Sequence, residues 1–503
     1  MTTVKTYLLT ICIVGLLQLL LIGVSDAVPE ADFSANITSG PAPLTVRFAD
    51  ESFTAPTGWS WFFGDETYAG TWTEMNASSG WVARLGHASV ALPDGSVALI
   101  AGEDNGSKQN DIWLSADKGA TWALMNASIW NSGRVNPTSV VRPDGSGIVV
   151  MGGLTGWYMN DVWVSSDTGA LWLPVNESSA WSQRARHSSV ALTDGSIILM
   201  GGYTNSGLSN ETWRSTDGGN LWTLMNASPG WSARASHSSV ALHDNSIVLT
   251  GGWDGTMQLN ETWRSTDYGA HWTRMNASSG WLPREGHTSV PMPDGSIVLM
   301  GGTGGLPGYY KDIWRSTDNG ATWTQVNDDA GWERRVAHSS VVLPDGSIVL
   351  MGGNQYGLKN DTWRLQPAGS IQQNPIHTYT TPGTYSVTLQ AYNPTGYNSM
   401  RKLGYITVIA PVSGTSRIGL FRPSTQMWYL DYDNNGLSNY KVKWGDSTDM
   451  PVAGDWDGDN MDEIGLYRPS TRMWYLDYDN SGLSDFKVKW GDSTDMPVAG
   501  KWS

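Results

Sequence analysis

Short apolar runs alternate with turn residues along most of the chain, and the alternation is periodic. The turn Asp-Gly-Ser, with close variants, begins at Asp94, Asp144, Asp194, Asp244, Asp294 and Asp345, a spacing of 50 four times and then 51. The third copy carries the full grammar. His187-Ser-Ser-Val-Ala-Leu192 reads as a strand, Thr193-Asp-Gly-Ser196 as a tight turn, and Ile197-Ile-Leu-Met200 as a second strand ending in Gly201-Gly202. A variable loop leads to a third strand, Glu211-Thr-Trp213-Arg; Ser215-Thr-Asp217-Gly-Gly219 turns the chain into a fourth, Leu221-Trp222-Thr-Leu-Met225. Four short strands per unit predict the blades of a β-propeller. At the ends of the array, Thr71-Trp72-Thr73 is a fourth strand with no unit before it, and Asp361-Thr362-Trp363 a third strand with none after it. Placing 71–75 beside 361–365 closes a six-bladed ring and removes its free edges.

Composition follows from this repeat. The 503 residues hold 28 Trp but only 7 Phe, and one Trp-bearing unit copied six times explains most of that excess. Lys and Arg number 31 against 47 Asp and Glu, a net charge of −16 that disfavours nucleic acid and anionic membranes as partners. Lys5 precedes an apolar run from Tyr7 to Val24, and Ser25-Asp26-Ala27 offers an export cleavage site after Ala27. A membrane partner enters only if this segment is retained as an anchor. The single cysteine, Cys12, lies inside it, so the mature chain has no disulfide, thiolate metal site or cysteine nucleophile. Ten N-x-S/T sequons suit an exported glycoprotein: Asn36, Asn76, Asn105, Asn126, Asn176, Asn210, Asn226, Asn260, Asn276 and Asn360.

The Gly-Gly after the second strand, the Asn-Asp/Glu-x-Trp of the third and the Trp of the fourth resemble the kelch family, over roughly residues 70–366. The third-to-fourth turns resemble Asp-boxes, complete from Ser115 to Trp122 and from Ser316 to Trp323. Flanking the array, Ala31-Asp-Phe-Ser-Ala, Pro43-Leu-Thr-Val-Arg-Phe48 and Trp59-Ser-Trp61-Phe-Phe-Gly-Asp65 resemble the first half of a PKD domain. Asn374-Pro-Ile-His-Thr-Tyr379 and Pro382-Gly-Thr-Tyr385 onward resemble the second half, which implies an Ig-like sandwich split by the propeller. Near the C-terminus, Ile418-Gly-Leu-Phe-Arg422-Pro-Ser-Thr returns as Ile464-Gly-Leu-Tyr-Arg468-Pro-Ser-Thr, a period of 46, and resembles FG-GAP or VCBS repeats. The expected organisation is a signal peptide at 1–27, PKD halves at 28–66 and 369–409 around a propeller at 67–368, a linker at 410–415 and two repeats at 416–503. Asp455, Asp457, Asp459, Asp462 and Glu463 alternate around Gly458 and supply oxygen ligands suited to Ca²⁺.

Two-to-three and four-to-one connections share one face of a propeller, and that face carries the candidate ligand-binding residues. Each four-to-one connection holds an arginine: Arg84, Arg134, Arg184, Arg234, Arg284 and Arg335. Two readings stand for these six. They form a cationic collar for a carboxylate, sulfate or phosphate, or they bond acids and carbonyls between blades. The histidines His87, His187, His237, His287 and His338 read as bonded strand-start residues. The variable loops add Trp157, Tyr158, Tyr203, Trp253, Tyr309, Tyr310 and Tyr356, aromatic platforms suited to sugar rings.

A galactose-oxidase-like copper site needs a Cys–Tyr cofactor, so neither copper nor thiol-based chemistry is expected. The weak enzymatic alternative is a sialidase- or sialic-acid-mutarotase-like activity on an acidic sugar, with Glu285 or Glu333 as the acid. The preferred expectation is a non-enzymatic exported protein, similar to the PKD-plus-kelch surface proteins of methanogenic archaea. Its role would be adhesion, or binding an extracellular glycan or surface protein; a purely structural envelope role is the third reading.

Overall fold

The computed structural model describes residues 27–142, 144–305, 308–410, 418–431, 437–454, 456 and 463–497. The described residues contain strands and turns and no helix, so none is long and apolar enough to cross a membrane. The export segment lies outside them apart from Ala27, as do Asp455, Asp457, Asp459 and Asp462 of the expected calcium loop.

Six four-stranded antiparallel units make the central body; four are separate sheets, and the second and third are joined through Arg184–Ala185 into one nine-stranded sheet. Their first strands are Ala88–Ala91, Thr138–Val141, Ser188–Ala191, Ser238–Ala241, Thr288–Pro291 and Ser339–Val342, and each touches the next in cyclic order, the last returning to the first. We number the sheets first to sixth in that order. First strands such as Ser188–Ala191 alternate buried and half-buried positions, one side packed between sheets and the other lining a central channel. Second strands such as Ile247–Thr250 are buried on both sides, which is why they read as unbroken apolar runs. The sixth sheet takes its outer strand from the start of the body: Thr73–Asn76 pairs with Leu358–Leu365, Trp363 opposite Glu74.

Two tryptophans per junction hold neighbouring sheets together. Trp181, from the connection entering the third sheet, meets Trp222 edge-on at 6.1 Å, between Val149 and Met151 of one sheet and Ile197 and Leu199 of the next. Trp222 is set by its turn: the Asp217 carboxylate accepts the Leu221 amide at 2.9 Å, Ser215 Oγ accepts the Gly219 amide, and Trp222 Nε1 donates to the Gly219 carbonyl. The paired glycines have a steric role. Gly202 has φ +98°, and a Cβ there would lie 2.7 Å from His187 Cβ and 2.9 Å from the Ala185 carbonyl.

Two further sheets face each other beside the ring, and each mixes residues from before and after it. One joins Phe33–Ala35, Leu44–Asp50 and Ile376–Tyr379; the other joins Ser39–Pro41, Gly396–Ile409, Gly383–Asn393 and Gly58–Phe62. Phe33, Phe48, Trp61, Phe63 and Leu389 fill the space between them. Tyr68 bonds Asp294 at 2.8 Å and Gln390 donates to the Pro344 carbonyl at 2.6 Å, so this unit sits on the Asp-Gly-Ser side of the ring. Its Thr395–Ser399 segment lines a 600 Å³ cavity that continues the channel. At the C-terminus, a three-stranded sheet over 418–443 packs on a four-stranded sheet over 450–489.

Gly202→Ala is expected to lose roughly 1–2 kcal/mol from the left-handed backbone and roughly 1–3 more from overpacking against His187. Gly207, at φ +108° with nothing within 4 Å of where a Cβ would stand, should show the first loss alone. Denaturant midpoints of the two variants check this, and equal midpoints would contradict the packing role.

Candidate functional site

The channel opens on the side of the variable loops, and its rim is made by the connections entering each sheet. Gly86, Asn136, Arg186, Ser236, Gly286 and Ala337 occupy the same place in the six connections, and all six have φ between +52° and +61°. That conformation turns each amide toward the carbonyl of its predecessor. Asn136 donates to Gly86, Arg186 to Asn136, Ser236 to Arg186, Gly286 to Ser236, Ala337 to Gly286, and Gly86 back to Ala337, at 2.7–3.3 Å. The channel mouth is therefore encircled by a closed loop of six backbone hydrogen bonds.

The six repeated arginines lie beneath this rim and do not form a collar. Each is buried to within 2% exposure, and each guanidinium bonds the acid that opens the third strand of the sheet it enters. The pairs are Arg84–Asp111, Arg134–Asp161, Arg184–Glu211, Arg234–Glu261, Arg284–Asp312 and Arg335–Asp361. A second bond goes to a carbonyl after the second strand, as from Arg184 to Gly201 at 2.8 Å. The arginine's own amide bonds back to the previous sheet in most junctions, as from Arg234 to the Ser209 carbonyl. Each residue thus staples one sheet to the next, with its guanidinium near a tryptophan face, 3.8 Å for Arg134 over Trp130. The collar expectation fails because spacing along the chain does not reveal that the side chain points into the junction.

The histidines are part of the same architecture. His237 Nε2 bonds Ser188 Oγ at 2.8 Å, His87 bonds Ser339 Oγ at 2.8 Å, and His187, His287 and His338 bond threonine hydroxyls of the preceding sheet. Burial drives the His87 and His237 imidazoles down to about 3 and the other three well below their usual range, helped by the nearby arginine.

Most sequons are also structural. Asn76, Asn126, Asn176, Asn226 and Asn276 accept the amide two residues on and donate from Nδ2 to a carbonyl of the next sheet's turn, at 2.7 Å from Asn76 to Ala120. Asn210, Asn260 and Asn360 donate from Nδ2 to tryptophan carbonyls. A glycan on these eight would occupy a nitrogen committed to the fold. Asn36 and Asn105 are exposed and carry no such bond among the described residues.

What distinguishes one side of the mouth from the rest is departure from the repeat. After each stapling arginine stand Leu85, Val135, Ala185, Ala235, Glu285 and Val336, and only Glu285 is charged. At the rim position itself only Arg186 is charged, and it is exposed. Tyr203 and Trp253 lie between, their rings 5.8 Å apart and 31° from parallel. Burial raises the Tyr203 phenol; Arg186 opposes that rise, while Glu285 and Tyr158 add to it. Gln258 Nε2 donates to Glu285 at 3.1 Å. Sequence reasoning missed Arg186 and Gln258 and undervalued Glu285; aligning the six connections residue by residue exposes the two charges.

The other candidates scatter. Trp157 and Tyr356 are exposed at 79% and 89%, Tyr356 meeting Tyr309 edge-on at 6.0 Å. Tyr310 is buried over the Arg284 guanidinium and belongs to the core. Glu333 pairs with Lys359 and does not join Glu285. Glu463, the described member of the expected calcium loop, is buried and accepts the Trp456 amide at 2.8 Å. Asp477, Asp479 and Asp485 of the second repeat bring ligand oxygens within 4.8 Å of one another, and burial raises the Asp477 carboxyl.

Residues 86–302 match the family described as the KLHDC2/KLHL20/DRC7 Kelch-repeats domain. No curated protein matches the chain. The matched stretch runs from the first sheet into the fifth, and the all-β ring is consistent with the β-propeller that Kelch repeats build.

The staples and the histidines can each be tested by unfolding. Arg84→Ala leaves Asp111 without its cation in the junction and should cost about 3–5 kcal/mol in denaturant unfolding; an unchanged midpoint would remove the staple. The five histidines stay neutral in the folded chain but take protons near pH 6.5 once unfolded. Each therefore removes about 1.4 kcal/mol of stability per pH unit as pH falls from about 6.5 toward 3. Unfolding midpoints should drop steadily across that window, and His187→Asn should flatten the slope by one histidine's share.

Proposed function

We propose that this chain is an exported, non-enzymatic binding protein of the cell surface, built as a six-bladed Kelch-type propeller inserted in a split PKD-type sandwich. Its partner, an extracellular surface protein or acidic glycan, docks on the variable-loop face at Arg186, Tyr203, Trp253 and Glu285. The observation that carries this reading is the concentration of non-repeated charge and a tilted aromatic pair on one sector of an otherwise repetitive rim. Arg186 offers an exposed guanidinium where the six repeated arginines are buried against carboxylates, and the Tyr203–Trp253 pair offers an apolar face beside it. The match to Kelch repeats supports a protein-interaction surface. Calcium in the C-terminal repeats belongs to the same proposal, held by Asp455, Asp457, Asp459, Asp462 and Glu463.

One observation favours a second reading. Glu285 and Arg186 bring an acid and a cation to bear on the Tyr203 phenol, the set a carbohydrate-active enzyme on an acidic sugar would use.

Glycan-array and surface-protein binding of the full chain tests both. Arg186→Ala combined with Trp253→Ala should weaken binding by at least about tenfold, or 1.4 kcal/mol, without moving the melting temperature. No binding to either class of partner, or binding untouched by the double variant, would overturn the docking site. Turnover of a sialic- or uronic-acid substrate that disappears in Glu285→Gln would favour the enzyme.

A further inference from the structure

The two C-terminal repeats share one sheet face that is covered in the second repeat and open in the first. The period of 46 carries Leu420, Arg422, Tyr429 and Lys441 onto Leu466, Arg468, Tyr475 and Lys487. In both sheets the leucine, tyrosine and lysine are cross-strand neighbours on one face. The arginine's guanidinium stands 5.1 Å from the tyrosine ring centre in each repeat. The lysine ammonium lies 5.6 Å from that ring in the first repeat and 5.7 Å in the second. The two faces are built alike.

A turn occupies the second face. Val442 and Trp444 pack on it, and a Cβ on Gly445 would lie 2.5 Å from Leu466 Cδ1, so the turn rests on a leucine that is 1% exposed. Asp449 accepts Arg468 Nε at 2.7 Å and Nη2 at 2.8 Å, and Asp446 adds an ion pair at 2.7 Å. The turn also holds its own shape. The Asp446 amide donates to the Asp449 carboxylate at 2.9 Å, and the Asp449 amide donates to the Asp446 carbonyl at 3.1 Å. On the first face, Leu420 is 55% exposed. Among the described residues Arg422 meets no carboxylate, and its guanidinium bonds the Tyr429 hydroxyl at 3.3 Å. Residues 362–430 contain neither Asp nor Glu, while Lys441 and Lys443 are exposed, so this face is cationic on an acidic chain.

We infer that the open face of the first repeat docks an acidic turn of a partner protein, with two carboxylates three residues apart behind an aromatic residue and a glycine. Residues 444–449 show that chemistry on the matching face of the second repeat. Arg422 takes the carboxylate pair, the turn's glycine rests on Leu420, and Lys441 and Lys443 steer the approach. The guanidinium needs little ordering on binding, because it already stands over Tyr429 as Arg468 stands over Tyr475. A second copy of the chain is the poorer occupant, since a net charge of −16 on each opposes self-association. The site is separate from the docking proposed at the variable loops and stands or falls without it.

An end-labelled peptide of residues 443–451 serves as the acidic turn, and fluorescence anisotropy follows its titration with the full chain. The peptide should bind, and binding should weaken as salt rises, because the cations are exposed. Arg422→Ala in the chain should weaken it by at least about tenfold, and so should Asp446→Asn with Asp449→Asn in the peptide. Leu420→Asp should act in the same direction by repelling the carboxylates. Near-ultraviolet dichroism of the tryptophans checks that both chain variants fold. No binding, or binding indifferent to Arg422→Ala or to loss of the peptide's carboxylates, would overturn the inference. Self-association of the wild-type chain that Arg422→Ala abolishes would also overturn it, by giving the face to a second copy. Tighter binding of polygalacturonate than of the peptide would do so by giving the face to an acidic polysaccharide.

Discussion

The structure depends on a cyclic constraint: six amides at the channel mouth, each bonded to the carbonyl of the connection before it, with the sixth returning to the first. A chain of such bonds has no end to leave unsatisfied only when it closes, so the number of sheets and the left-handed turn at each rim position are linked. Four of the six rim residues are not glycine, and a left-handed backbone costs each of them about 1–2 kcal/mol in isolation. The loop of bonds holds them there. Beneath it, six Arg–carboxylate staples repeat the same logic in side chains, tying each sheet to the one it enters.

Closure also explains how the flanking unit forms. Both of its sheets need strands from either side of the ring, and those strands meet only because Thr73–Asn76 and Leu358–Leu365 pair. The unit then sits against the Asp-Gly-Ser end of the channel, and the opposite mouth carries the variable loops. The proposed docking site accordingly lies where the architecture has been relieved of its duties. Arg186 sits at a rim position that requires only a backbone conformation, and Glu285 sits at one that elsewhere holds Leu, Val or Ala.

Strands, turns and the approximate meeting of the chain ends were legible because they follow from period, turn chemistry and local pattern. The direction of a long side chain was not. Arg84 to Arg335 recur three or four residues after a tryptophan, a spacing equally suited to a collar or a junction. The information that separates the two lay in the third-strand acids, Asp111 to Asp361, which follow their arginines at intervals of 26 to 28 residues. A buried guanidinium needs such a partner, and six arginines with six matched acids are structural before they are functional. The sequons carry a second role that was hidden in a related way: Met-Asn-Ala-Ser is a glycosylation signal by composition and a junction bond by geometry. The proposed docking patch was legible only by difference, through the two charges that break the repeat at the mouth.

Amide hydrogen exchange at the channel mouth tests the cyclic constraint most directly. If closure holds the ring together, the amides of Gly86, Asn136, Arg186, Ser236, Gly286 and Ala337 exchange slowly and at a common rate, released only when the whole ring opens. Individual, widely separated rates, with some of the six exchanging as fast as exposed loop amides, would contradict it.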